Sequence, residues 1–306
     1  MRVAYIQLAV AMAMVGANVA VAKATVPYMP VFIFSFVRFA VSIIAVAPLV
    51  IGEPGTRFRD LSGRDWVYLT LQSLCGGVVY MVLMLYGLRF TSAMSAGIIT
   101  STVPACVALL AVLVLGERLG GRQTAALGLA VLGILMVNTA SPLEAIAPWP
   151  ILGNSLIAGA VIAEGLFVIF AKRTAGIDAL YRMTLIFNVV GLIAITPFAV
   201  AELPDFDFSS VPLAVWLLPS FYALTSSVLA LILWYRGLAK VPASEAAIFT
   251  STFPISTLAV SILFLGEEPQ WAHGMGLVCV LTAIVLGARG QGGATLPQGP
   301  VKEAGH

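Results

Sequence analysis

Four polar side chains lie deep inside long apolar stretches of this 306-residue chain: Asn18, Arg38, Glu164 and Asn188. Placing an ionisable group in the middle of a bilayer costs about 2.5–3.5 kcal/mol, so such groups generally face a cavity or a partner. Two interpretations of the charged pair remain open. Arg38 is a structural tether to Glu164 or to backbone carbonyls, or the two face a cavity, where Arg38 contacts a ligand and Glu164 carries a proton.

A second pattern is a repeated phrase, Thr-Ser-Thr-Val-Pro at 100–104 and Thr-Ser-Thr-Phe-Pro at 250–254. Proline has no amide hydrogen and frees the carbonyl four residues earlier, which is that of the first threonine. Hydroxyl groups, a neighbouring helix or cavity water can satisfy this carbonyl, whereas lipid cannot. Pro104 and Pro254 are therefore predicted to bend two helices, either as hinges beside a polar cavity or as static kinks.

The composition shows which elements must position these residues. The chain is 60% hydrophobic and 10% charged, with a mean hydropathy of +1.02, whereas a soluble domain carries roughly 25% charged residues. Its solvent is therefore lipid. About ten apolar stretches approach the ~20 residues that a bilayer requires, near 4–24, 30–51, 65–87, 92–115, 122–140, 149–171, 179–200, 211–235, 243–265 and 271–288. The fold class is thus an all-α polytopic membrane protein with ten transmembrane helices.

The distribution of Lys and Arg predicts the orientation of these spans. With a cytoplasmic N-terminus, twelve of the sixteen basic residues fall on the inner side and two, Lys23 and Arg89, on the outer side. Lys23 and Lys172 end spans one and six, where lysines commonly extend to the interface. The sequence predicts a multi-pass protein of the bacterial inner membrane, with both termini cytoplasmic and the first span retained.

The chain also contains an internal repeat. Residues 87–137 align without a gap on 237–287, an offset of 150 positions that pairs both the proline phrases and the Leu-Gly-Glu residues that follow them. Two repeats are predicted, 1–140 and 149–288, followed by a disordered cytoplasmic tail, 289–306. Since each repeat holds five spans, the copies are inverted, as in secondary transporters with a site near the bilayer midplane. The alternative is that duplication only built a stable scaffold.

Three stretches resemble EamA-type domains of the drug/metabolite transporter superfamily: GANVAVAKATV (16–26), FVRFAVSIIAVAP (36–48) and the segment from TSTVP through LGER to 137. The second half matches through Pro254 and LGEE, but no arginine takes the place of Arg38. The resemblance implies an exporter of amino acids or other metabolites that works by alternating access, with a cavity lined by helices one, three, four, six, eight and nine. YddG-like aromatic amino-acid exporters are the most similar group.

Several polar, aromatic and sulfur-containing residues are candidates for lining that cavity. Tyr80 and Tyr222 lie deep in their spans and are either cavity residues or ordinary packing residues, whereas Tyr86, Trp234 and Tyr235 lie near span ends and suit an interfacial belt. The chemistry suits a neutral or zwitterionic solute. The predicted substrate-binding set is Asn18, Tyr80, Met84, Thr100, Ser101, Glu164, Tyr222, Thr225, Thr250 and Ser251.

Other function classes find little support. The chain has two histidines, His273 and His306, and no HExxH, GxSxG or glycine-rich phosphate motif, so an enzyme is not expected. No catalytic residue, cofactor, metal or nucleic acid is expected; the expected partners are a small-molecule substrate and membrane lipid, with the chain a monomer or homodimer. The alternatives are a channel-like facilitator, a multidrug efflux protein and a non-transporting scaffold.

The inverted arrangement makes a topological prediction. In a background without the native cysteines, Leu119→Cys and Pro269→Cys lie at equivalent positions of the two copies, so a membrane-impermeant thiol reagent should label them from opposite sides. Labelling both from the same side would contradict the inverted repeat. Labelling after detergent permeabilisation controls for thiol accessibility.

Overall fold

The structure is a computed structural model that describes residues 2–115, 120–137, 149–174, 177–238, 240, 249 and 252–290. All regular elements in this part of the chain are helical. Ten main helical segments follow one another: α1 (Arg2–Thr25), α2 (Val31–Val50), α3 (Gly63–Phe90), α4 (Ala93–Thr100 and Val103–Leu115), α5 (Gly121–Val137), α6 (Pro150–Arg173), α7 (Leu180–Glu202), α8 (213–238), α9 (Thr252–Leu265) and α10 (Trp271–Gly290). The all-helical fold with ten segments is as the sequence predicts, although the first part of predicted span nine and the tail beyond 290 lie outside the described residues.

Length and hydropathy match these helices to a bilayer. Seven of them are long and apolar enough to cross one, and the segments Gly121–Val137, Thr252–Leu265 and Trp271–Leu286 are shorter apolar helices. Large apolar side chains on the outside, such as Ile44, Leu213 and Phe264, are more than 70% exposed. An exposed apolar surface of this extent is suited to lipid contact. The core lies between the helices, where it includes Phe34, Met81, Leu85 and Ile99.

The two halves of the chain interlock, and their contacts follow a two-fold pattern. Helix α2 packs on α7, and α5 packs on α10. The contact of α1 with α9 has its counterpart in α6 with α4, and the contact of α1 with α8 has its counterpart in α6 with α3. Each pair is related to the other by a shift of five helices. The interior of the protein is therefore largely an interface between the repeats.

Small residues let backbones approach closely at this interface. A Cβ on Gly16 of α1 would clash with the carbonyl of Phe253, and one on Gly97 of α4 would clash with the Thr257 side chain. The Thr257 hydroxyl donates to the Gly16 carbonyl (2.9 Å). Glycine at such contacts is typical of membrane helix packing, and here it joins α1 and α4 of the first repeat to α9 of the second.

Helices α3 and α8 each contain a π-helical segment, Ser73–Val79 and Ala223–Ala230. The two segments begin 150 positions apart, which is the offset of the repeat. An expanded turn of this kind changes the direction of the side chains that follow it and often marks a functional region. The irregular turns are therefore features shared by the two repeats.

Glutamates cap helix N-termini across the repeats. The Glu53 carboxylate accepts the N–H groups of Tyr181 (2.7 Å) and Arg182 (2.9 Å) at the start of α7. Conversely, Glu202 at the end of α7 accepts those of Phe32 (3.1 Å) and Ile33 (3.2 Å) at the start of α2. The first N–H groups of a helix have no partner within it, and its positive end favours an anion. The α2–α7 pair is thus capped reciprocally.

The Leu-Gly-Glu motif after α9 builds a third cap of this type. Gly266 adopts φ = +65°, a left-handed conformation that suits glycine and ends the helix. Glu267, 4% exposed, accepts the N–H groups of Ala93 (2.7 Å) and Met94 (2.9 Å) at the start of α4. Burial raises the pKa of Glu267, while these donors and the charge of Lys23 act in the opposite sense. The corresponding Glu117 lies outside the described residues.

Glu267→Gln should lower the stability of the protein. A glutamine has one acceptor oxygen, so one buried N–H of α4 would lose its partner, at a cost of about 1–3 kcal/mol. The exposed neighbour Glu268 is a matched control, because Glu268→Gln removes the same charge one position away. Thermal unfolding in detergent measures the difference. Equal melting temperatures of the two variants would contradict the capping role.

Candidate functional site

Arg38 is a buried cation with unused hydrogen-bond donors. It lies in α2 and is 8% exposed. Its guanidinium carbon lies 4.8 Å from the ring centroid of Phe39 and 5.5 Å from that of Tyr222. Nε and Nη1 are buried and have no hydrogen-bond partner within the described part of the chain. Aromatic faces attract a cation but leave the N–H groups of the guanidinium unsatisfied.

Glu164 is the opposite charge, contributed by α6 of the second repeat. It is half-buried, and its charge interacts with those of Arg38, Tyr80 and Tyr222. No hydrogen bond or ion pair is formed by its carboxylate within the described residues, so the direct tether to Arg38, one of the two alternatives from the sequence, is absent. The Arg38 guanidinium lies instead against aromatic rings, one of them on its own helix.

Two tyrosines from α3 and α8 complete the arrangement. Tyr80 directly follows the π-helical segment of α3, and Tyr222 directly precedes that of α8. The irregular turns therefore help to set the directions of both phenol rings. Tyr222 also packs edge-on against Phe34, with ring centroids 5.7 Å apart. The residues Arg38, Tyr80, Glu164 and Tyr222 are called the central polar cluster below.

Asn18 and Thr225, both predicted to bind substrate, contact each other instead. The Asn18 amide Nδ2 donates to Thr225 Oγ1 (2.9 Å) and to the carbonyl of Met14 (2.8 Å). The Thr225 hydroxyl contacts the carbonyl of Phe221 (2.6 Å), and Asn18 is 1% exposed. In this conformation the pair satisfies its own hydrogen bonds and joins α1 of the first repeat to α8 of the second.

Helix α4 is interrupted inside the first Thr-Ser-Thr phrase. It ends at Thr100 and resumes at Val103, with the hydroxyls of Ser101 and Thr102 hydrogen-bonded to the carbonyls of Gly97 and Ile99 (2.6 Å each). Thr100 Oγ1 is buried and has no partner among the described residues. A hinge at Pro104 stays a prediction.

The remaining predicted residues have various positions. Met84 is buried in the core near Tyr80, and Pro254 is buried in the first turn of α9. Asn188 donates from Nδ2 to the carbonyl of Thr184 (2.8 Å). Thr250, Ser251 and the side chains of Lys172 and Tyr235 lie outside the described residues.

A second polar cluster was not predicted as a unit. Lys23 does not extend towards water as expected, because its Nζ donates to the carbonyls of Leu88 (2.6 Å) and Thr91 (2.7 Å) at the end of α3. Its charge interacts with that of Glu267, and Ser95 Oγ lies 3.1 Å from Nε2 of His273 nearby on α4 and α10. The Leu-Gly-Glu motif was the one sequence signal for this cluster, and it was used only to align the repeats.

Comparison with known proteins identifies the family. The EamA-like transporter family matches the chain twice, over residues 2–139 and 151–288. This chain belongs to that family. As an EamA-family member with two EamA repeats, it is a multi-pass membrane transporter and not an enzyme.

Individual relatives agree with the family. The uncharacterized transporter YetK of Bacillus subtilis (strain 168) is 35% identical over 285 residues, which cover 92% of this chain and 86% of YetK. A probable terminal-alkyne amino-acid exporter of Streptantibioticus cattleyicolor is 25% identical over 257 residues, 80% of each chain. A protein of known crystal structure superposes with a TM-score of 0.60 at 14% identity, over 91% of this chain and 94% of the other. That last likeness shows a common fold.

The Asn18–Thr225 contact predicts energetic coupling between the two EamA repeats. Asn18→Ala and Thr225→Val should each reduce the free energy of unfolding, and the loss in the double variant should be smaller than the sum by about 1 kcal/mol. Unfolding in detergent measures all four proteins of the cycle. Thr196 provides a control because its hydroxyl bonds within its own helix. Strict additivity of Asn18 and Thr225 would show that the contact adds nothing to stability.

Proposed function

We propose that this EamA-family protein is a secondary transporter that exports amino acids, aromatic ones among them, or similar small metabolites by alternating access. The observation that carries the proposal is the central polar cluster. It combines Arg38 and Tyr80 from the first repeat with Glu164 and Tyr222 from the second. A ligand held there contacts both repeats at once, so movement of one repeat against the other would alter its access to each side of the membrane.

The packing between the repeats supports this mechanism. Contacts between them come in two-fold related pairs, α1–α9 with α6–α4 and α1–α8 with α6–α3. Two arrangements that exchange the roles of such pairs have similar contacts and hence similar energies, which is what an alternating cycle requires. The π-helical segments in α3 and α8 and the interruption of α4 place weakened hydrogen bonding at points where those helices would bend. The hinge roles of Pro104 and Pro254 belong to this proposal.

The chemistry of the cluster supports the substrate class. It offers one cation, one carboxylate and two phenol rings in apolar surroundings, and ligand sites commonly combine a few polar groups with an apolar wall. The relative from Streptantibioticus cattleyicolor, described as a probable amino-acid exporter, points the same way. The proposal further places the protein in the bacterial inner membrane with both termini cytoplasmic.

The proposal predicts saturable transport of amino acids. Purified protein in liposomes preloaded with unlabelled amino acid should accumulate the labelled form by exchange, and a panel that includes phenylalanine and tyrosine identifies the preferred substrate. Exchange must exceed that of protein-free liposomes and must level off at high substrate concentration. Absence of exchange for every amino acid would refute the substrate class. Flux that rises without saturation would indicate a channel.

A further inference from the structure

The central polar cluster contains two opposite charges that do not pair with each other. Arg38 keeps Nε and Nη1 buried without a partner in the described part of the chain. The Glu164 carboxylate is held on another helix of the other repeat and also lacks a bonded partner among the described residues. Unsatisfied charged groups in the interior are unfavourable, and most polar groups of this protein at similar depth are satisfied, as Asn18 and Thr257 are. A group from outside the chain is therefore expected to complete this site.

We propose, on the basis of the function proposed above, that the substrate is bound as a zwitterion, with its carboxylate on Arg38 and its ammonium group on Glu164. The chemical class this selects is the free α-amino acid. Amines, carboxylic acids and peptides with distant termini each present only part of that pattern. Neither group is thereby assigned a covalent or catalytic role.

The chemistry of each side chain suits the assigned partner. A guanidinium is permanently charged and offers several N–H donors, and carboxylates are its preferred ligands. A carboxylate only accepts hydrogen bonds when ionised, and an ammonium group only donates them. Because Arg38 and Glu164 interact electrostatically without forming an ion pair, a ligand with both charges can insert between them with one hydrogen bond of about 3 Å to each.

The surrounding rings provide a wall for the side chain of the amino acid. Tyr222 lies between Phe34 and the guanidinium of Arg38, and Tyr80 is electrostatically coupled to Tyr222. Aromatic walls favour apolar and aromatic side chains through burial and ring packing. The site as a whole is therefore matched to amino acids with such side chains.

The position of the charges also links recognition to transport. Arg38 belongs to α2 of the first repeat, and Glu164 belongs to α6 of the second. Only a ligand with both charges bridges the repeats, so an analogue that lacks one charge binds one repeat more weakly and does not hold the two together. Selectivity for the zwitterion should therefore appear in binding and in exchange alike.

The test compares one amino acid with its two single-charge analogues on the purified full-length protein. The amino acid is the one exchanged fastest in the liposome panel; for phenylalanine, the analogues are phenethylamine, which lacks the carboxylate, and 3-phenylpropionate, which lacks the ammonium group. Both analogues should compete for bound labelled phenylalanine at least tenfold more weakly than phenylalanine itself. Analogues that compete within about twofold of phenylalanine would overturn the proposal, and this comparison requires no variant to fold.

The variants should show a crossed pattern that loss of structure would not produce. Arg38→Gln should remove the preference for phenylalanine over phenethylamine while keeping the preference over 3-phenylpropionate, and Glu164→Gln should do the reverse. Arg89→Gln and Glu268→Gln remove one exposed charge each and should preserve both preferences. If Glu164→Gln changes only the pH dependence of exchange and neither preference, Glu164 is a proton carrier and the proposal fails. Absence of exchange for all amino acids would refute the proposed function itself, whereas exchange without the crossed pattern would refute only this site.

Discussion

The structure depends on one constraint, which is that hydrocarbon offers no hydrogen bonds to a polar group. Helices satisfy nearly all their backbone groups internally, but the first N–H groups and the last carbonyls of each helix remain. In this protein those ends are satisfied by side chains from the other half of the chain: Glu53, Glu202 and Glu267 accept from the starts of α7, α2 and α4. Lys23 donates to the carbonyls at the end of α3. Helix caps therefore serve as contacts between the repeats as well as ends of helices.

The same constraint makes the exceptions informative. Among the described residues, the buried donors of Arg38 and the hydroxyl of Thr100 stay without partners, and they lie near places where the helices are irregular. Tyr80 and Tyr222 adjoin the π-helical segments, and Thr100 adjoins the interruption of α4. Where local hydrogen bonding is incomplete, less free energy is lost when a helix bends or a ligand enters. The unsatisfied groups and the weakened helices thus occur together in the region between the repeats.

Duplication explains why the interior has this form. Each repeat leaves helix faces that it cannot cover alone, and the second copy covers them in two-fold related pairs. The symmetry is not complete. Arg38 has no arginine counterpart in the second repeat, and Tyr80 and Tyr222 are not equivalent under the 150-residue offset. A symmetric scaffold thus surrounds an asymmetric site, as recognition of an asymmetric solute requires.

The sequence by itself determined the lipid environment, the number of helices, the duplication and its offset, and the EamA resemblance. These follow from hydropathy, length and local motifs, which do not depend on how helices pack. Only the tertiary structure decided which polar groups meet: Asn18 with Thr225, Glu267 with the start of α4, and Arg38 with aromatic rings rather than with Glu164. These helices are apolar on most sides, so their sequences carry little periodic signal for the inward face. A π-helical turn also alters the direction of later side chains without a recognisable motif. Contacts between residues more than a hundred positions apart therefore had to come from the packing of the helices.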